Sequence, residues 1–166
     1  VTNRSNIFYK ENAAGGASHQ ITVTFVGLRS CAWTAFEISG AKISGALDQT
    51  ASNKGNTPGT DASVGPSSAT TQANEIVIAG AGTRADSGAN INMSAASSGY
   101  TNVFTESDAL TWGTGGSVDY KIVAATGTQS ATYSHNDTGA SFEWSAVLAT
   151  FMEAASSSGI VRPHSL

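Results

Sequence analysis

Phe142-Glu143-Trp144-Ser145-Ala146-Val147-Leu148-Ala149-Thr150-Phe151-Met152 is the one stretch of this chain whose composition would suit a helix. Helical spacing from Trp144 puts Val147, Leu148 and Phe151 on one face, so periodicity alone does not choose between helix and strand. The context chooses strand. Elsewhere the dominant pattern is period-two alternation in short runs separated by Gly, Asn, Ser and Asp. With this stretch read as a strand, the chain is all-β.

Working outward, Asp119-Tyr120-Lys121-Ile122-Val123-Ala124 alternates and stops at the turn Thr126-Gly127-Thr128. Ser130-Ala131-Thr132-Tyr133 reads as its short partner. Residues 100–104 form a further short strand. Glu75-Ile76-Val77-Ile78-Ala79-Gly80-Ala81 is apolar on both parities, as a strand covered on both faces should be. Cys31-Ala32-Trp33-Thr34-Ala35-Phe36-Glu37-Ile38 reads the same way, with Gly40 as its stop, so Trp33 and Cys31 are expected in the core beside Trp144. Gln20-Ile21-Thr22-Val23-Thr24-Phe25 has the cleanest alternation of all. It follows Ser5-Asn6-Ile7-Phe8-Tyr9-Lys10 across a turn containing Gly15 and Gly16, which suggests a hairpin. Residues 44–68 are weakly patterned, with one irregular strand expected within 62–71; residues 82–99 read as a surface excursion. About eight short strands with turn signals between them predict a two-sheet antiparallel β-sandwich of jelly-roll or Ig-like type. The expected domain is 1–153, followed by a low-complexity tail, 154–166, that contains Pro163 and is either mobile or bound to a neighbour.

Composition narrows the function. The chain has 166 residues, and Ala, Ser, Gly and Thr fill about half of it. Charged residues are 12 %, half the usual share, and the net charge is −4. Eight Lys and Arg in a net-negative chain leave no phosphate-neutralising face, which argues against nucleic acid as a partner. No apolar run is long enough for a membrane-spanning helix. One cysteine excludes an internal disulfide framework and a Cys-based zinc site. Low charge, abundant Ser and Thr and scarce Cys suit an extracellular or virion-surface protein. The first residue is Val1, consistent with a removed leader or with a start inside a longer product.

The chemistry-bearing residues are sparse. His19, His135 and His164 have no ligand partner at useful spacing, and no Gly-x-Ser-x-Gly elbow anchors a triad. Glu106, Asp108 and Asp119 are candidate calcium ligands, since loop carboxylates suit a hard cation, although their spacing matches no EF-hand. Glu37 in an apolar strand reads as a catalytic acid, or as a Glu paired with Lys121 or Arg29 or exposed on an edge; the absence of a second candidate carboxylate favours the structural role. Trp112, in a Gly-rich loop, could stack on a sugar ring together with Tyr100, or could plug one end of the fold. Gly113-Thr114-Gly115-Gly116 is not followed by the pattern of a dinucleotide loop. Asn3, Asn92 and Asn136 begin N-glycosylation triplets.

The order Ile7-Phe8-Tyr9, Ile21-Thr22-Val23-Thr24-Phe25, Phe36-Glu37-Ile38-Ser39-Gly40, Leu47-Asp48, Thr70-Thr71-Gln72-Ala73-Asn74-Glu75-Ile76-Val77-Ile78, Tyr120-Lys121-Ile122-Val123 and Trp144-Ser145-Ala146-Val147-Leu148-Ala149-Thr150-Phe151 resembles a repeat-type β-sandwich module found in secreted bacterial proteins and bacteriophage structural proteins. The resemblance spans about residues 5–152. It implies a surface location and no enzymatic activity. It also implies two or three further strands before residue 7, so the chain is a fragment, or a neighbouring chain supplies those strands, or the domain is open at one edge, and open edges invite strand addition. The expected function is a non-enzymatic structural or decorating subunit, with other copies or other chains of a surface assembly as partners. The alternative is a carbohydrate-binding or adhesion module using Trp112 and Tyr100. No cofactor is expected beyond a calcium ion.

Overall fold

The computed structural model describes residues 3–15, 20–26, 31–57, 60–85, 93–94, 96–97, 99–108, 113–136, 142–155 and 163–165. Among these there is no helix. The strands are β1 (Phe36–Ile38), β2 (Leu47–Gly55), β3 (Ala62–Val64), β4 (Glu75–Ala85), β5 (Thr101–Asp108), β6 (Gly113–Val123), β7 (Ala131–Tyr133), β8 (Phe142–Met152) and β9 (Pro163–Ser165). All pairings are antiparallel. The main sheet has the order β2-β8-β4-β6-β5, and two small sheets pair β1 with β9 and β3 with β7.

The stretch that could have been a helix is β8, paired along its length with β4 on one side and β2 on the other. Its apolar residues fall on both parities because both faces of the sheet are covered. Trp144, Ala146 and Leu148 join Val77, Ala79 and Ala81 of β4, Ala62 and Val64 of β3, and Ala131 and Tyr133 of β7 in one buried cluster. Ala149 and Phe151 join Ile76 and Ile78 of β4 in a second cluster, against which Ile7, Phe36, Ile38, Val118 and Tyr120 pack. A helix would satisfy its backbone but could not offer residues of one segment to two opposed cores at a spacing of two.

β2 reads Leu-Asp-Gln-Thr-Ala-Ser-Asn-Lys-Gly and lies at the sheet edge. Its polar, weakly patterned sequence suits an edge that must discourage further pairing, and the same polarity hid it in the 44–68 stretch. Gly55 at its end is needed for space: a Cβ there would lie 2.6 Å from the Trp144 ring, which covers that position. The irregular strand expected within 62–71 is β3 followed by a loose ladder. Ser67 N donates to Gln129 O at 2.9 Å and Thr70 N to Gly127 O at 3.0 Å. Gly65 turns that ladder at φ +100°, where a Cβ would meet Gln129 O at 2.5 Å.

Several expectations are corrected. Residues 130–133 do not pair with 119–124: β7 pairs with β3, while β6 sits between β4 and β5. Residues 5–10 and 20–25 enter no β-ladder among the described residues. Trp33 is half exposed and Cys31 is exposed, so the core expected for 31–38 is limited to its end, Phe36 and Ile38. Within the expected tail, β9 pairs with β1 of its own chain.

Candidate assembly surface

The N-terminal segment 3–11 is extended and lies on one face of the main sheet, running beside β8 at an almost constant offset. Asn3 Nδ2 donates to Gly82 O at 2.7 Å and Asn3 N to Glu143 Oε2 at 3.3 Å. Ser5 Oγ donates to Ser145 O at 2.9 Å. Ile7 packs on the second cluster, and the Tyr9 ring meets Phe151 edge-on with centroids 5.3 Å apart. The Glu11 carboxylate accepts from Ala46 N at 2.6 Å and Gly45 N at 3.1 Å. Odd residues therefore face the sheet, and the even residues Arg4, Asn6, Phe8 and Lys10 face out, Phe8 at 92 % exposure. The period-two reading of 5–10 is right about alternation. Among the described residues no strand pairs with the segment, and most of its anchoring contacts are made by side chains.

Residues 20–26 also expose apolar side chains. Ile21, Val23 and Phe25 are 50 %, 44 % and 48 % exposed, and Val26 is 92 % exposed. Trp33 and Ile43 add to the apolar surface. Natural chains rarely leave several large apolar side chains this open unless the patch contacts something. Alternation prepares one side of such a segment for burial, but it does not create the ladder partner that would complete a strand.

The residues singled out for ligand chemistry lie elsewhere. Asp119 is fully buried on β6, where its carboxylate accepts from Ser117 Oγ at 2.8 Å and Asn102 Nδ2 at 3.0 Å. Glu106 is exposed and faces Gly116 across the ladder, and Asp108 faces Thr114. Three residue steps along β6 thus separate the Glu106 level from Asp119, about 10 Å at the usual strand rise. The three candidate calcium ligands are not brought together, and the described residues contain no group of three metal-binding side chains. The Asp119 charge is used inside the fold. Burial first, and then Asp119, push the hydroxyls of Tyr100 and Tyr133 well above the usual tyrosine range.

Tyr100 Oη donates to Ser130 O at 3.0 Å, and Lys121 Nζ sits 4.6 Å from the Tyr100 ring centroid. Burial lowers the Lys121 pKa. Tyr100 is thus anchored at its hydroxyl with one ring face covered by a cation. Trp112, its expected partner on a sugar, lies outside the described residues, as do His19, Arg29 and Asn92. Glu37 is exposed on β1, in register with His164. His135 Nε2 lies 2.6 Å from Thr60 O. The Asn3 side chain is engaged with the sheet, which disfavours it as a glycan acceptor, and Asn136 is exposed.

One pairing went unread in the sequence. Asp48 of β2 and Glu75 of β4 bring their carboxyl groups together at one end of the main sheet. The two lie 27 positions apart, and no local pattern marks them. No family model, no curated protein and no solved structure matches the chain.

Proposed function

We propose that this chain is a non-enzymatic structural or decorating subunit of an extracellular or virion-surface assembly. Its fold on this reading is an antiparallel β-sandwich of jelly-roll or Ig-like connectivity. The main sheet is one layer, and segment 3–11 with β1 and β9 belongs to a second layer completed by strands from neighbouring chains.

The observation that carries the proposal is the exposed alternation of Ile21, Val23 and Phe25. An extended segment with one apolar side and Thr22 and Thr24 on the other is suited to strand addition. Main-chain hydrogen bonds would supply affinity and the alternate side chains register. Low charge and small Ala, Ser and Gly side chains favour close approach of such backbones. The low cysteine count and high Ser and Thr content support the surface location.

The test is native mass spectrometry and sedimentation over a wide concentration range, with negative-stain microscopy of the most concentrated sample. Oligomers or filaments whose formation protects the amides of 20–25 from exchange are the expected result. A monomer at every concentration, with those amides unprotected, overturns the proposal.

A further inference from the structure

We infer that Asp48 and Glu75 share one proton and form a pH-sensitive latch at the end of the sheet where the starts of β2 and β4 flank the end of β8. The inference does not depend on the assembly reading.

The donors around the two carboxyl groups are unevenly divided. Asp48 Oδ2 accepts from Thr71 N at 2.7 Å, and Oδ1 accepts from Thr71 Oγ1 at 2.9 Å and Gln49 Nε2 at 3.1 Å. Glu75 is 1 % exposed, and neither of its carboxyl oxygens has a hydrogen-bond partner of good geometry. A buried carboxylate without donors is costly, and two carboxylates in contact cannot both ionise cheaply. A proton on Glu75 resolves both problems: Glu75 O–H donates to Asp48, which stays charged and keeps its other donors.

The electrostatics agree with this geometry. Burial is the largest influence on Glu75 and raises its pKa; contact with Asp48 raises it further, against smaller opposing contributions from Thr150 and Gln72. Burial also pushes Asp48 upward, but the hydrogen bonds from Thr71, Glu75 and Gln49 outweigh it and hold Asp48 below the ordinary carboxylate range. Of the two nearby lysines, Lys121 is directed elsewhere, whereas Lys42 reaches this end of the sheet at Met152, in register with Glu75. Lys121 of β6, opposite Val77, lies over Tyr100, and Lys42 Nζ donates to Met152 Sδ at 3.1 Å. Glu153, just beyond β8, adds negative charge at this end of the sheet.

Removing the proton places two carboxylates against each other. Glu75 is fixed in a central strand, whereas Asp48 is on an edge strand at a register shift between Leu47 and Thr50. The Asp48 side therefore yields. The segment that yields with it includes Gly45 and Ala46, whose amides hold Glu11 of the N-terminal segment. Proton occupancy is thereby linked to how firmly residues 3–11 are held.

The experiment is a carbon-detected NMR titration of the side-chain carboxyls of the unaltered protein. Amide exchange at Ala46 and Thr71 is followed alongside, and thermal melting is compared with Glu75→Gln. Glu75 is expected to titrate above the ordinary value of about 4.3. Exchange at Ala46 and Thr71 should then rise with pH more steeply than base catalysis explains. The melting temperature of the unaltered protein should fall through the same interval, while that of Glu75→Gln, whose amide can donate to Asp48 but cannot ionise, does not. A Glu75 titration at or below the ordinary value overturns the latch, as does an identical melting profile in Glu75→Gln. The titration decides the question even if the variant fails to fold.

Discussion

Replacing Ile21, Val23 and Phe25 together by Thr tests the assembly surface directly. Thr keeps a high β-propensity, so the segment stays competent to extend while losing its apolar side. About half of each side chain is still exposed. Complete burial of such a side chain stabilises by roughly 1.5–3 kcal/mol, so the half still open leaves about 0.75–1.5 kcal/mol per residue for an interface to capture. Three residues give about 2–4 kcal/mol, which at 1.4 kcal/mol per factor of ten is a roughly 30- to 1,000-fold weaker association. The isolated fold should hardly notice, because substitutions at exposed sites usually stay within about 0.5 kcal/mol. Sedimentation equilibrium of both proteins across a concentration series measures the first effect, and melting of dilute samples measures the second. Unchanged association refutes the reasoning. So does a dilute variant that melts well below the parent, since the segment would then be packing within its own chain.

Other expectations follow from the packing. Gly65→Ala should cost about 2–4 kcal/mol, combining a left-handed backbone position with a clash on the Gln129 carbonyl, and the urea midpoint should fall accordingly. An unchanged midpoint would mean that the 65–70 ladder gives way easily. Tyr9→Ala removes the edge-on contact with Phe151, worth about 0.5–1.5 kcal/mol beyond area. Its signature is faster amide exchange at Ala46, beside the Glu11 anchor. Tyr100 and Tyr133 have raised folded-state pKa values, so their contribution to stability is full below the ordinary tyrosine value of about 10 and is lost as pH climbs above it. Tyrosinate absorbance from these two rings should therefore appear together with base unfolding, and their titration in the folded protein near pH 10 would contradict the burial argument.

Alternation and breakers made β8, residues 75–81 of β4 and residues 119–123 of β6 legible, but 82–85 were read as part of a surface excursion and 113–116 as a Gly-rich loop, and both are strand. An irregular strand was expected within 62–71, and β3 occupies its first three residues. β2 was not legible, because an edge strand with polar residues resembles a loop when its partner is unseen. Nor was β9, whose three residues acquire meaning only opposite Phe36, Glu37 and Ile38. Tyr100 and Asp119 could be named as chemistry-bearing residues, but not their use. Asp119 is spent on Ser117 and Asn102, and Tyr100 on Ser130 and Lys121.

By itself the sequence determined the class of structure, the alternation of its extended segments, and the scarcity of catalytic side chains. Those are local properties, carried by residues two apart. Only the tertiary structure decided that β7 pairs with β3, that residues 3–11 lie on the sheet face beside β8, and that Asp48 meets Glu75. These depend on which distant segments bury one another. A period-two pattern states that a face must be covered, and the rest of the fold decides what covers it.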